Sequence, residues 1–305
     1  MNNIKYENQV KLLLDIANYI NWEKCFALKG GTAINFFYED MPRISVDIDL
    51  VYLPLKERSE AFSEMIHELD NLKNGLNILG FKVIRDSISN NNPIGKIKIS
   101  NNVSSIKIEP NNVLRGAFLP PEEKSLCRKA QKVFNKDVIL TCLAHDELYA
   151  GKLTAMLGRQ HPRDIFDMMQ FIKKYNSVKS LMDLFIAYVL QGNRPFSELL
   201  NPNLIDIKEL YLNSFIGMTE KEIKLDELLE YRKKIINKVQ TNLSDPQKEI
   251  ILSFMELKPK LELLPFKNLA HFPGIQWKLS NIKKMPEQKR ILEINKLKDI
   301  FNNPF

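Results

Sequence analysis

The sequence predicts an α+β protein in two parts: a mixed sheet of about five strands with its helices over residues 1–142, and a helical region over residues 143–305. Three observations carry this reading. Residues 43–53, RISVDIDLVYL, alternate with a period of two, so Val46, Ile48 and Leu50 fall on one face and Ser45, Asp47 and Asp49 on the other. Short β-like runs follow at 81–87, 94–100, 103–109 and 138–142, bounded by turn residues. From Leu143 onward the apolar residues recur every three to four positions, the period of helices.

In chain order, Val10, Leu13, Leu14, Ala17 and Ile20 give residues 6–20 one apolar helical face. Residues 26–29 make a short lead-in to a glycine turn, residues 33–38 a short helix, and Pro42 closes the loop before the alternating strand. Residues 59–72 form a helix, with Ala61, Phe62, Met65, Ile66 and Leu69 on one side. The runs GKIKIS and VSSIKIE, separated by Asn101 and Asn102, read as a hairpin, and Asn90–Asn92 mark an earlier turn. The basic stretch 124–136 is expected to be exposed. Helices are expected near 143–158, 163–174, 178–191, 205–213, 220–239, 246–257 and 286–301, with Pro259, Pro265 and Pro273 breaking the interval before the last.

Composition narrows the class. At 44% hydrophobic and 27% charged, the 305 residues can bury a core and are not those of a disordered chain. The formal net charge of +7 is compatible with a nucleic-acid partner without requiring one. Cys25, Cys127 and Cys142 have no metal-ligand spacing and read as reduced core thiols. His67, His145, His161 and His271 are likewise not spaced as zinc ligands. The first twenty residues do not read as a signal peptide, and no apolar run approaches the ~18 residues that a membrane helix needs. The expected location is the cytoplasm.

The chemistry concentrates between Phe26 and Leu53. Asp47 and Asp49 project side by side from one strand, a costly pairing unless positive charge lies between them. A divalent cation supplies that charge, and Mg²⁺ (or Mn²⁺) is usually held by one or two carboxylates plus substrate phosphates. Upstream, Gly30 and Gly31 allow backbone amides at a helix start to approach a phosphate. A phosphate cradle, a short helix and a metal strand in this order are the layout of a nucleotidyltransferase. The glycine pair alone is also compatible with an ordinary turn, and the aspartates alone with a solvated face.

The string KGGTAINFFY…PRISVDIDL resembles the signature of AbiEii/AbiGii-type nucleotidyltransferase toxins, a MenT-like branch of the DNA polymerase β-like superfamily. The resemblance implies a polymerase β-like N-terminal domain. It also implies nucleotide contacts from Lys29, Gly30, Gly31, Thr32 and Arg43, and metal contacts from Asp47 and Asp49. A third carboxylate belongs on a neighbouring strand, where it bridges metal and takes the acceptor's proton. Glu109 of SSIKIE, 60 residues past Asp49, matches it. A half-exposed hairpin strand would show the same Lys107/Glu109 face. Thr32 suits either a phosphate contact or a helix cap. Arg43 suits either a phosphate or a carboxylate such as Asp49.

The segment LAHDELYAGKLTAMLGRQHPRDIFDMMQFI resembles the family's later motifs, a helix lysine followed by an RDxxD-like pattern. Here these are Lys152, then Arg163, Asp164 and Asp167. His145, Tyr149, Lys152 and Met156 share one helical face. The resemblance gives Lys152 the role of neutralising triphosphate charge and Asp164 that of orienting the lysine or a base. A snorkelling lysine and a helix-start carboxylate are the structural alternatives. Gly151 departs from the acidic residue common before the motif lysine. Trp277 is read as a packing residue. The clusters YRKKIINK and IKKMPEQKR are read as solvated helix faces, and are the best RNA-contacting candidates if there is one.

The expectation is therefore a Mg²⁺-dependent nucleotidyltransferase using an NTP, the toxin of a type IV-like toxin–antitoxin or phage-defence pair. Family analogy suggests a tRNA 3′ end or other RNA as acceptor and an AbiEi-like antitoxin as partner. Transfer to a protein or small molecule, or a non-catalytic relative that only binds nucleotide or a partner, are the other readings.

Overall fold

The structure, a computed structural model, describes residues 4–20, 25–87 and 93–303. The turn expected at Asn90–Asn92 lies outside the described residues. The chain divides into two compact units, residues 1–148 with 217–222, and residues 149–216 with 223–305. The chain passes from the first unit to the second within one helix, and 217–222 returns to the first unit.

The first unit holds α1 (Ile4–Ala17), β1 (Phe26–Lys29), α2 (Gly30–Ala33), a π-helical continuation Ile34–Tyr38, β2 (Asp47–Tyr52), α3 (Arg58–Ile78), β3 (Lys82–Arg85), β4 (Ile97–Ser100), β5 (Ser105–Pro110), β6 (Glu122–Ser125), α4 (Arg128–Phe134) and β7 (Ile139–Cys142). The strands form one mixed sheet in the order β3-β4-β5-β2-β1-β7-β6. Pairs β2/β5 and β1/β7 are parallel and the remaining neighbours antiparallel. Hence the predicted α+β class holds, with seven strands where about five were expected.

The two extra strands have physical reasons. β1 is only FALK, too short for a period to declare itself, and it is defined by pairing Phe26–Lys29 with Tyr52–Asp49. β6 is EEKS, which has no apolar residue, and exists because it pairs with β7 at the sheet edge. Its Glu122 accepts a hydrogen bond from Tyr38 Oη at 3.3 Å. α4 was missed in the same basic stretch, 124–136, where it buries Ala130 and Phe134.

The predicted hairpin is β4–β5, in register from Ser100↔Ser105 to Ile97↔Ile108. Ile97, Ile99, Ile106 and Ile108 are all buried, together with Val83 of β3. Each such side chain contributes roughly 1.5–3 kcal/mol relative to leaving it in water. α1 packs on β5 and α3 on β3. α3 runs past the expected end at Leu72 because Leu76 continues its apolar face, and Gly80 with φ +87 terminates it. Cys25 and Cys142 are buried and Cys127 is half-buried, all three as free thiols.

The helix α5 (His145–Arg159) begins in the first unit and continues in the second. The second unit then comprises α6 (Pro162–Tyr175), α7 (Met182–Val189), α8 (Phe196–Leu200), α9 (Lys208–Ser214), α10 (Leu225–Thr241), α11 (Asp245–Met255), α12 (Pro273–Lys284) and α13 (Glu287–Asn302). Pro273 does not break this region. It occupies the first turn of α12, where its missing N–H costs nothing. α10 starts at Leu225 rather than 220, and α11 starts from a Ser244/Gln247 capping box. α6 packs on α10, and α13 on α8 and α11. Trp277 is not a packing residue: it is 40% exposed, because α12 buries Gly274, Ile275, Lys278 and Ile282 and Trp277 lies off that face. The cluster YRKKIINK is not wholly solvated either, since Arg232 is buried and donates to Gln160 Oε1 at 3.0 Å and to Ile205 O at 2.7 Å.

Candidate active site

Strand β1 passes into α2 without a loop. Lys29 is still extended, with φ −131 and ψ −176, and makes no side-chain cap to the helix. Gly30 has φ +76, a left-handed conformation that a side chain would strain. A Cβ on Gly30 would also fall 2.3 Å from Asp49 Oδ2. The carboxylate of the expected metal strand therefore lies directly against the glycine turn, at the positive end of a helix. Gly31 is crowded for a different reason. A Cβ there would stand 2.5 Å from Arg43 Nη2 and 3.0 Å from Ser45 Oγ.

Arg43 is accordingly buried, 2% exposed, and packs its guanidinium against Gly31. Its Nη1 donates to Ile44 O at 2.9 Å, and its backbone forms a bridge with Thr219. Thr32 is 1% exposed and donates from Oγ1 to Asp47 O at 2.5 Å, with Ser45 Oγ 3.0 Å away. That hydroxyl ties α2 to β2. Of the two readings of Thr32, neither phosphate contact nor helix cap describes this bond: it is a tether between helix and strand.

Register sets the rest of the face. Asp47 and Asp49 are half-buried and alternate with the buried Ile48 and Leu50. Lys29 pairs with Asp49 across β1/β2, and Asp49 with Glu109 across β2/β5. Asp47 pairs with Lys107 in the next row. Register partners project to the same side of a sheet, so Lys29, Asp49 and Glu109 form one row of side chains. Glu109 Oε1 accepts from Lys96 Nζ at 3.0 Å. Among the described residues no three His, Cys, Asp or Glu side chains form a ready-made metal cage. The donors on this face are hard carboxylate oxygens on adjacent strands, which suits Mg²⁺, an ion that keeps most of its coordination for water and substrate phosphates.

Lys152 and the RDxxD-like segment lie in the second unit and form a cluster of their own. Lys152 Nζ is 2.9 Å from Asp164 Oδ1 and 3.0 Å from Asp167 Oδ2, and all three side chains are at least nine-tenths buried. It does not snorkel. Arg159 also holds Asp164, Nε to Oδ2 at 2.5 Å and Nη2 to Oδ1 at 3.0 Å. Burial alone would raise the Asp164 carboxyl, but the charge of Lys152 and the hydrogen bonds and charge of Arg159 outweigh it and hold Asp164 below the usual carboxylate range. Asp164 stands in the first turn of α6, behind Pro162 and the N-cap His161, whose Nδ1 accepts from Arg163 N at 3.2 Å. Two residues gain weight over the sequence reading. Asp167 is a full member of the cluster, and Arg159 carried no motif signal at all. A Cβ on Gly151 would meet the Tyr188 ring at 3.5 Å, an ordinary contact, so the surroundings do not by themselves require glycine there.

A helix fed from a strand through a glycine turn, against a DxD strand in a mixed sheet, defines the nucleotidyltransferase fold. In agreement, the chain is similar to a solved structure, MenT4, a nucleotidyltransferase toxin from Mycobacterium tuberculosis H37Rv, with a TM-score of 0.61 at 16% identity over 91% of this chain and 93% of that one. The family model described as nucleotidyl transferase AbiEii toxin, type IV toxin–antitoxin system, matches residues 11–231. The chain belongs to this AbiEii nucleotidyltransferase toxin family. Residues 29 to 167, which include every site residue named above, lie within the match. Comparison with curated proteins found no match. Membership of a type IV toxin–antitoxin family implies an antitoxin partner. Among the described residues no helix is long and apolar enough to cross a membrane.

Proposed function

We propose that this chain transfers a nucleotidyl group from an NTP to the 3′ end of an RNA, in the manner of a toxin held in check by an AbiEi-like antitoxin in the cytoplasm. The observation that supports it is the contact of Asp49 with Gly30, which brings a carboxylate of the DxD strand against the glycine turn where a phosphate would be received. Asp47, Asp49 and Glu109 are the residues that would hold Mg²⁺ (or Mn²⁺). Such a cation, when bound, neutralises the charge that builds on the α-phosphate.

The chain's own groups do the rest. Amides at Gly30 and Gly31 receive the triphosphate at the uncapped helix start, and Lys29 adds positive charge to the same row. Thr32 and Arg43 hold helix and strand in place from behind. The acceptor hydroxyl attacks the α-phosphorus, the bond to the bridging oxygen of the β-phosphate breaks, and pyrophosphate leaves. Glu109 takes the hydroxyl proton. The family resemblance adds Lys152 and Asp164; in the second unit Asp164 and Asp167 fix the direction of the Lys152 amine.

The test is incubation of the purified protein with total RNA, Mg²⁺ and each labelled NTP in turn, comparing wild type with Asp49→Asn on a denaturing gel. Label on a tRNA-sized band that disappears in the variant is the expected result. Label on protein or on a small product would move the acceptor to that class, and no label in any fraction would overturn transfer.

A further inference from the structure

Beyond the carboxylates, the same face of the sheet continues onto β5, β4 and β3. Its outward positions are Ser105, Lys107 and Glu109 on β5, Lys98 and Ser100 on β4 with Lys96 just before it, and Lys82 and Ile84 on β3. The inward positions are the buried isoleucines and Val83 described above, and the outward Lys82, Ile84, Lys96, Lys98 and Lys107 are all exposed. A half-solvated antiparallel sheet is common, and lysines on it would be unremarkable singly. Their pairing is not. Lys98 and Lys107 are direct register partners. Like charges directly opposite one another on a sheet are destabilising. Of these two only Lys107 has an acidic register neighbour, Asp47, and among the described residues neither amine has an ion-pair partner within 4.0 Å. Lys96, by contrast, is matched to Glu109. The hairpin thus keeps two opposed lysines without ion-pair partners next to the carboxylates.

Strand order says what the pair is placed to meet. In β4-β5-β2-β1, the aspartates of β2 stand between the glycine turn that follows β1 and the lysine pair of β5 and β4. In-line displacement brings the attacking and leaving oxygens to phosphorus from opposite sides. With the triphosphate on the β1 side, the acceptor comes from the β5 side. We infer that Lys98 and Lys107 bind the backbone phosphates of a single-stranded nucleic-acid acceptor and lead its terminal hydroxyl to Asp47 and Asp49. The inference rests on the proposed reaction for its geometry. The exposed Ile84, 49% accessible and in register with Lys98, offers an apolar surface for a base at the far end of the same row.

Binding, not transfer, tests it, so that a failed transferase assay and a failed inference remain distinguishable. The full-length protein is titrated with a short single-stranded RNA bearing a free 3′ hydroxyl, and separately with ATP, over a range of salt. Wild type, Lys98→Gln/Lys107→Gln and Lys98→Arg/Lys107→Arg are compared. The double glutamine variant is expected to lose RNA affinity on the order of tenfold at low salt, and its log–log salt slope should fall by about 1.4, 0.7 for each phosphate contact. The arginine variant should keep both, and ATP binding should be unchanged in all three. Removing a like-charge pair relieves the hairpin, so the glutamine variant should melt no lower than wild type. Unchanged RNA affinity and slope in the glutamine variant, absence of RNA binding by wild type, or loss of ATP binding in place of RNA binding would each overturn the assignment.

Discussion

The side chain of Asp49 rests against the Cα of Gly30, so close that a methyl group added there would meet Oδ2 at 2.3 Å. One contact joins the glycine turn to the DxD strand. It constrains Gly30 twice over, by its positive φ and by the lack of room for a side chain beside Asp49.

Gly30→Ala is accordingly expected to reduce nucleotidyl transfer by at least about a hundredfold, because a displacement near 1 Å at a reacting group costs about that much. Stability should fall by roughly 1–3 kcal/mol from strain at a left-handed position. Paired kinetics and urea denaturation would check it. Activity within a few fold of wild type would show that the Gly30–Asp49 contact is dispensable.

In the second unit, Lys152 is buried with Asp164 and Asp167. Asp164→Asn leaves a buried ammonium with one carboxylate, and breaking a buried pair in this way costs roughly 3–5 kcal/mol. The pH dependence follows from the depressed Asp164 carboxyl. Its folded value lies below the ordinary 3.8, so the native state gains stability that is complete above that ordinary value and is lost as pH falls through the depressed one. Acid titration of unfolding should show wild type losing stability over the most acidic window more steeply than Asp164→Asn. Parallel curves would mean that the carboxylate is not held in its charged form by its neighbours.

Lys278 is 6% exposed, lies 4.5 Å above the Phe196 ring and donates to the Arg194 carbonyl. Burial pushes its amine down to about 8, against partial support from Glu293 and Glu198. Here the unfolded chain binds the proton more tightly, so stability rises between pH 8 and the ordinary value of 10.5 as the buried amine discharges. Relative to Lys278→Met, wild type should gain up to about 3 kcal/mol between pH 8 and 10.5, at about 1.36 kcal/mol per pH unit. Urea denaturation of both proteins at pH 7.5 and pH 10 measures it. A constant difference between them would place the amine in water.

Much of the site was legible because it follows from local rules. The alternation of Asp47, Ile48, Asp49 and Leu50 settles which face each side chain takes once the segment is a strand. A glycine pair before a helical run, and an RD segment behind Pro162, announce their turns in the same way. The family signature lay in those same residues. β6 and α4 were hidden, since EEKS has no period and a basic stretch looks like an exposed loop.

Residues that act through space gave no such signal. From its place before the strand Arg43 suits a phosphate or a carboxylate such as Asp49; its packing against Gly31 is visible only in the fold, which brings the two together. Arg159 reaches Asp164 because a tight turn at Gln160, with φ +50, reverses the chain between α5 and α6. The opposition of Lys98 and Lys107 depends on hairpin register, and their side of the carboxylates depends on strand order. Local sequence by itself determined most of the strands and helices, though not β1, β6 or α4, and the identity of the chemical groups, because backbone period and side-chain chemistry are properties of near neighbours. Tertiary structure alone decided which groups are buried, which are paired and from which side a substrate can come, because those depend on residues far apart in the chain.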